Sequence, residues 1–367
     1  MQKFFLFFIS LLLTSCVNNN VEKETAHNSR GEKYILKYAS GFSVTGKNGK
    51  TVVKVFDPWN KGKVMAKFVL TEGKASKGEI HVPLDSIAVF SATQLNALEK
   101  LGKLDAVTGV SDIKYINNKR VRQLIDNGRI LEMAAGGTFF TEKIIETKPK
   151  AVFYSPFENS KPLPPVLKSL LFIPYLDYTE QNPLGRAEWI KFAALFTGTG
   201  KRADSIFNEI ERKYDSLKKL VKYNGNTPTV FSGKFFNGQW YVPGGKSYFA
   251  QLFKDAGACY VFDYIEKSAS VPLDFETVWQ KAKDADYWRI AEYSAQTTGY
   301  DMLAKENGLY TKFKAFKNRH VIYCNIKKTE YFEKSPLEPY VVLSDFIKAF
   351  HPQLLPYYKP VYYKLLK

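Results

Sequence analysis

The chain has 367 residues, 45% of them hydrophobic and 15% aromatic, enough for two packed domains of ordinary size. Its formal net charge of +17 suits solubility or a general attraction to anionic ligands or membrane surfaces. The basic residues are scattered rather than gathered into one arm, so nucleic-acid binding is not indicated.

At the start, Lys3 precedes an apolar run from Phe4 to Leu13, interrupted by Ser10, and then Leu13-Thr14-Ser15-Cys16. Spanning a bilayer takes about 20 apolar residues, so residues 1–16 read as a secretory signal rather than a membrane helix. Cys16 stands where a bacterial lipobox places its lipidated cysteine. The expected mature protein is thus anchored by lipid at the periplasmic face of a bacterial membrane, with acyl chains contributing about 0.8 kcal/mol per buried CH₂. Residues 17–30 are polar and read as a flexible tether.

Residues 31–80 form a β-rich entry module on the alternation in Tyr34–Tyr38, Phe42–Thr45, Thr51–Phe56 and Val64–Leu70. Gly46, Asn48 and Gly49 provide a hairpin turn within it. From residue 81 to 199, short buried strands alternate with helices. Strands are expected at 86–90, 107–110, 151–154 and 172–176, and helices at 91–102, 119–127 and 142–147. Asn182-Pro183 starts a further helix. Residues 200–223 carry one long amphipathic helix, with Ala203, Ile206, Phe207, Ile210, Tyr214, Leu217 and Val221 on a single stripe. Residues 224–367 repeat the pattern. Ser247 opens a helix ending at Gly257 as Ser91 opens one ending at Gly102, and Glu276 matches Glu142 at the start of another. The predicted architecture is α/β: two three-layer lobes with mostly parallel central sheets, facing each other across a cleft and joined by the long helix.

Pro243-Gly-Gly-Lys-Ser247 lacks the first glycine of a phosphate loop, since Trp240 stands there, although its glycines and helix start make an anion-friendly turn. Ala134-Ala-Gly-Gly-Thr138 is a comparable small-residue turn in the first lobe. No nucleophile elbow or zinc helix is present, and His27, His81, His320 and His351 are far apart, so neither enzymatic activity, a cofactor nor a protein-only metal site is expected. Cys259 and Cys324 are expected to be buried free thiols. Loops at strand ends are where α/β clefts take ligands. The aromatic residues there, Phe139, Phe140, Trp240, Tyr241, Tyr248, Trp288, Tyr331 and Phe332, are candidates for ligand contact. Lys161, Arg186, Lys246 and Arg289 are candidates for meeting carboxylates or phenolates.

From about His81 to His351 the chain resembles the substrate-binding proteins of ABC importers for iron complexes, haem or vitamin B12. The resemblance is carried by Ser91–Asp112, Glu142–Phe153, Pro183-Leu-Gly-Arg-Ala-Glu-Trp189, Trp240–Gly257 and Glu276–Trp288. It implies two lobes on a rigid helical linker and capture of a ferric siderophore or haem for delivery to a permease and its ATPase. It also implies a docking glutamate on each lobe, at Glu142 and Glu276. A cobalamin receptor is the alternative within the same class. An exported enzyme or adhesin on this fold is the alternative outside it.

Overall fold

A computed structural model describes residues 36–367 except 48, 161, 223, 224 and 297. The signal segment, Cys16, the tether and Lys161 lie outside the described residues. Among the described residues no helix is long and apolar enough to cross a membrane.

The entry module is an antiparallel meander of β1 (Phe42–Lys47), β2 (Lys50–Phe56) and β3 (Val64–Thr71), with β4 (Ile80–His81) added parallel to β3. Successive side chains of a strand point to opposite faces, and Val44, Val53, Val55, Phe68 and Leu70 are the inward set. The alternating segment expected as a strand around Tyr34–Tyr38 is not one where it is described. Leu36–Tyr38 runs as irregular chain, because its amides are taken by side chains rather than by a neighbouring strand.

The first lobe contains β5 (Ile87–Val89), α1 (Ala92–Lys100), β6 (Val107–Ser111), α2 (Lys119–Asp126), β7 (Leu131–Ala135), β8 (Thr138–Phe139), α3 (Thr141–Thr147), β9 (Ala151–Tyr154), β10 (Phe172–Pro174) and α4 (Pro183–Thr197). Its sheet has the order β10-β9-β5-β6-β7-β8, parallel except for the β7–β8 hairpin. The turn of that hairpin is Gly136-Gly137, with φ of +57° and +79°, the positive values a tight two-residue hairpin requires. Side-chain caps fix the helix starts: Ser91 accepts from Thr93 N, Asn118 from Val121 N and Asn182 from Leu184 N. In α4 every residue except Arg186 is buried. A helix covered all round is a core element. The module's Phe42 packs on Trp189 and Phe192 of α4 at 4.8 and 5.1 Å, and Phe68 on Phe196 at 5.8 Å.

The long helix α5 (Gly200–Val221) buries Ala203, Phe207, Ile210 and Tyr214 and ends with Lys218 and Lys219 near its negative pole. At 1.5 Å per residue it is about 33 Å long, enough to connect two lobes.

The second lobe follows with β11 (Thr229–Ser232), β12 (Phe235–Phe236), β13 (Gln239–Pro243), α6 (Tyr248–Asp255), β14 (Cys259–Tyr260), β15 (Ser270–Leu273), α7 (Phe275–Ala282) and β16 (Tyr287–Glu292). It continues with α8 (Tyr300–Glu306), α9 (Lys314–Lys317), β17 (Val321–Asn325), α10 (Tyr331–Lys334), α11 (Pro339–Phe350) and β18 (Lys364–Leu365). Its main sheet, β14-β11-β16-β17-β18, is parallel apart from β18, and β12-β13-β15 form a small antiparallel sheet beside it. Two α/β lobes with mostly parallel sheets and a connecting helix match the predicted class. Both cysteines are free, but Cys259 is exposed where burial was expected; Cys324 is buried, which pushes its thiol up to about 11.

Candidate functional site

Four of the candidate ligand residues meet where the lobes touch. Arg186 comes from the first turn of α4, Tyr248 from the start of α6, Arg289 from mid-β16 and Tyr331 from the start of α10. The Arg186 guanidinium lies 5.5 Å from the Tyr248 ring centre across the junction. Its Nε donates to Asp177 Oδ2 at 3.1 Å, and that carboxylate is almost fully buried. Arg289 is sandwiched between Phe249, at 3.8 Å, and Tyr363, at 4.9 Å. Its Nη2 donates to the Tyr363 hydroxyl, and the Tyr331 ring packs 5.5 Å from that of Tyr363.

Burial leaves this cluster rich in donors. It pushes the Tyr248 and Tyr331 hydroxyls above the ordinary phenol value, with Arg186 and Arg289 pulling both back, so the tyrosines stay protonated at neutral pH. Burial raises the Asp177 carboxyl, and Arg186 opposes it. Tyr248 Oη, Arg289 Nε and Asp177 Oδ1 are buried without a hydrogen-bond partner in the protein. Buried polar groups are almost always satisfied, so three orphans in one cluster make it a candidate place for a polar ligand. Asp177, Phe249 and Tyr363 escape a sequence reading because neither spacing nor motif ties them to the others.

The remaining candidates lie elsewhere. Trp240 and Trp288 have no exposure: they surround Phe231, with Trp288 stacked on it at 5.4 Å, and their indoles donate to Ser232 O and Gly233 O. A cleft ligand cannot touch them without unpacking that core. Phe139 packs on Phe90 and Phe172 at 5.7 and 6.2 Å, beside a separate small core on the first-lobe sheet. Phe140 precedes α3, with Lys143 over its ring at 5.2 Å. Tyr241 faces solvent from the antiparallel sheet, and Phe332 is also exposed. Lys246 pairs with Glu266 at 3.2 Å on the surface.

The Gly244-Gly245 turn is not an anion cradle. The N–H groups of Gly244, Gly245 and Lys246 already donate to Ala269 O, Ile265 O and Lys267 O. A Cβ on Gly244 or Gly245 would come 2.0 Å from the Lys267 or Asp263 carbonyl oxygen, so the glycines serve close backbone packing.

The lobes are also tied at a second place. Glu333 of α10, nearly fully buried, accepts from Asn117 N at 3.0 Å and Asn118 N at 2.9 Å, while Asn117 Nδ2 donates to Thr329 O at 3.3 Å. Tyr115 and Tyr293 meet edge to face at 5.3 Å beside them. Glu142 and Glu276 are both exposed, each the second residue of its helix and each following a short antiparallel strand.

The Pro183–Trp189 run has a structural task of its own. Glu188 accepts from the N–H groups of Lys37, Tyr38 and Ala39 at 2.8–3.0 Å, and from Lys191 Nζ at 3.0 Å. Glu180 accepts from Ser40 N, Gly41 N and Trp189 Nε1 at 2.8–3.2 Å. Two buried carboxylates thus hold the entry of the β-rich module against α4. A Cβ on Gly185 would come 2.9 Å from Tyr38 O, which keeps that position free of a side chain.

An uncharacterized lipoprotein of Methanocaldococcus jannaschii is 27% identical to this chain over 388 residues, which cover 94% of the chain and 91% of the relative. A second uncharacterized lipoprotein of that organism is 27% identical, covering 82% of the chain and 81% of itself. Among solved structures, a possible iron-binding (periplasmic solute-binding) protein of Staphylococcus epidermidis superposes with a TM-score of 0.59 at 17% identity, covering 74% of this chain and all of that one. A periplasmic heme binding protein of Pseudomonas aeruginosa gives 0.58 at 16% identity, covering 77% of this chain and 98% of that one. A family model described as periplasmic binding protein matches residues 87–326, from the first strand of the first lobe to the end of the second lobe's parallel strands. The chain belongs to the periplasmic binding protein family.

Proposed function

We propose that the protein is the lipid-anchored capture component of an ABC importer, holding an iron complex, a ferric siderophore or haem, between its lobes for delivery to a permease. The observation that carries this reading is the buried junction of Arg186, Tyr248, Arg289 and Tyr331, drawn from both lobes, with three polar atoms lacking protein partners. Arginine and protonated tyrosine offer donors, which suits the anionic oxygens of a chelate, and the iron is cargo held through them. The iron- and heme-binding proteins that share the fold and the lipoproteins that share the sequence support it. Cys16 is then the lipidation site.

Calorimetric titration with ferric siderophores and haemin tests the proposal. Heat is a better readout than tryptophan emission, since Trp189, Trp240 and Trp288 are all core residues. Arg289→Ala or Tyr331→Phe should weaken binding about 10- to 100-fold, roughly 1.4–2.8 kcal/mol. Absence of binding to every iron complex tried would sink the reading. For docking, the double reversal Glu142→Lys with Glu276→Lys should stop uptake in cells and leave affinity for the chelate unchanged. Loss of affinity in that variant would refute the docking role.

A further inference from the structure

Where the β-rich module meets the first lobe, a cavity of about 430 Å³ is lined by Trp59, Phe157, Glu158, Asn159, Ser160 and Tyr178. Trp59 comes from the turn between β2 and β3, Phe157 from the loop after β9, and Tyr178 from the turn after β10. The cavity shares no residue with the arginine–tyrosine junction. Trp59 also precedes residues 87–326, which the family model matches, so the module completes a space that the family's common core does not contain.

The aromatic walls are held by local hydrogen bonds. The Asp57 carboxylate accepts from Trp59 N at 2.9 Å and from Asn60 N at 3.0 Å, which fixes the β2–β3 turn. Phe157 N donates to Ser160 Oγ at 2.6 Å and Ser160 N donates to Phe157 O at 2.9 Å. That closed turn keeps the Phe157 side chain 66% exposed beside the cavity instead of letting it fold into the lobe. The Tyr178 hydroxyl donates to Pro156 O, which ties its ring to the same loop.

The Phe157 and Tyr178 rings stand 5.4 Å apart with their planes inclined at 50°. Rings set at such an angle make a corner round a compact group, whereas a flat sugar or macrocycle stacks on a single face. The face of an aromatic ring is its negative side, and it attracts a cation within about 6 Å of the ring centre. Among the described residues lining the cavity, Glu158 is the one charged group and neither Lys nor Arg is present, in a chain of formal net charge +17. A strongly hydrated metal ion would lose water that three aromatic walls cannot replace. An alkylated ammonium is charged but carries methyl groups that the rings can bury.

We propose that this corner binds a small alkylated ammonium group, the trimethylammonium of a choline-like compound, with Trp59, Phe157 and Tyr178 as its walls and Glu158 as its counter-charge. The site is separate from the chelate junction and stands whether or not the capture function does.

Calorimetry on the full-length protein with choline chloride tests this. Choline should bind with a dissociation constant below about 1 mM, and its neutral carbon analogue, with tert-butyl in place of trimethylammonium, about tenfold or more weakly. Phe157→Leu keeps an apolar side chain at an exposed position, so it should weaken choline binding about tenfold and leave the unfolding temperature unchanged. Glu158→Gln should weaken it about threefold or more, since it removes the charge and keeps the shape. Displacement of choline by phosphatidylcholine vesicles, with phosphatidylglycerol vesicles as the control, would identify a lipid headgroup as the source of the group. No displacement would identify a free compound, and the site stands in either case. Equal affinity for choline and its neutral analogue overturns the cation assignment. No binding of choline up to about 20 mM overturns the site altogether. An unaltered choline affinity in both variants overturns its placement in this cavity.

Discussion

Glu188 shows how far a motif can mislead about its purpose. Its carboxylate has no solvent exposure and is satisfied by three consecutive backbone amides of the module and by Lys191. Removing one partner of such an arrangement leaves buried donors without their acceptor, which typically costs about 3–5 kcal/mol. Glu188→Ala should therefore lower unfolding stability by about that amount in urea titration and speed proteolytic cleavage within residues 36–41. A loss below about 1 kcal/mol would show that the module is held mainly by Phe42 and Phe68 on α4. The role of Glu188 was not legible because its acceptors' partners are backbone amides about 150 positions away, which carry no side-chain signature. Trp240 was legible in principle. In β13, Trp240 and Val242 point inward and Tyr241 outward, the strict alternation of a half-buried strand. Aromatic content marks Trp240 and Tyr241 alike, whereas strand phase separates core from surface.

At the scale of elements, the parallel core was readable because its signals are local. Ser91, Asn118, Asn182 and Ser247 each accept a first-turn amide, and each stands immediately before its helix. The β7–β8 hairpin was missed because Leu131-Glu-Met-Ala-Ala135 has few residues that favour strands, and pairing with β6 overrides that weak preference. One ion pair ties second-lobe elements together in a pH-sensitive way. Asp286, just before β16, accepts from Thr229 N and Oγ1 at 2.8 Å and from Lys314 Nζ at 2.7 Å. Desolvation by burial raises its carboxyl, but those hydrogen bonds outweigh it and hold the value below the ordinary one. Glu292 is lowered likewise, burial being outweighed by Lys234, Thr298 and Tyr323. In the acid window the unfolded chain binds protons that the folded chain does not. This stabilisation is complete above the ordinary carboxylate values of about 3.9–4.3, and it disappears as pH falls through the depressed folded values. Urea midpoints measured from pH 6 to pH 2.5 should fall through that window, and Asp286→Asn should flatten part of the decline. A variant profile parallel to that of the wild type would assign the acid sensitivity to other carboxylates.

For the whole molecule, the number and character of the ties between lobes decide how ligand is taken up. A chain whose lobes met only through α5 could open and close about its ends. Here Glu333 holds the amides of Asn117 and Asn118, Lys100 faces Glu338 at 3.8 Å, and Arg186 lies over Tyr248. Helix α11 also packs along α5, so the connector is braced on the second-lobe side. Closing the lobes further would require breaking a buried carboxylate's bonds to two amides, and an uncompensated buried charge of that kind costs several kcal/mol. A chelate that gains only a few contacts by closure cannot supply that energy, because a ligand shifts an equilibrium only by its differential affinity for the two states. On the proposed function, a ligand would therefore enter a site that already has its bound shape, and selectivity would come from the side chains lining the junction rather than from domain motion. Small-angle scattering should show a radius of gyration near 20 Å for the folded part, changing by less than about 0.5 Å on saturation with ligand. Glu333→Ala should widen the apo distribution and create a ligand-dependent contraction absent from the wild type. A contraction above about 1 Å in the wild type would mean that the clasp opens at far lower cost than a buried carboxylate allows, and that capture proceeds by closure.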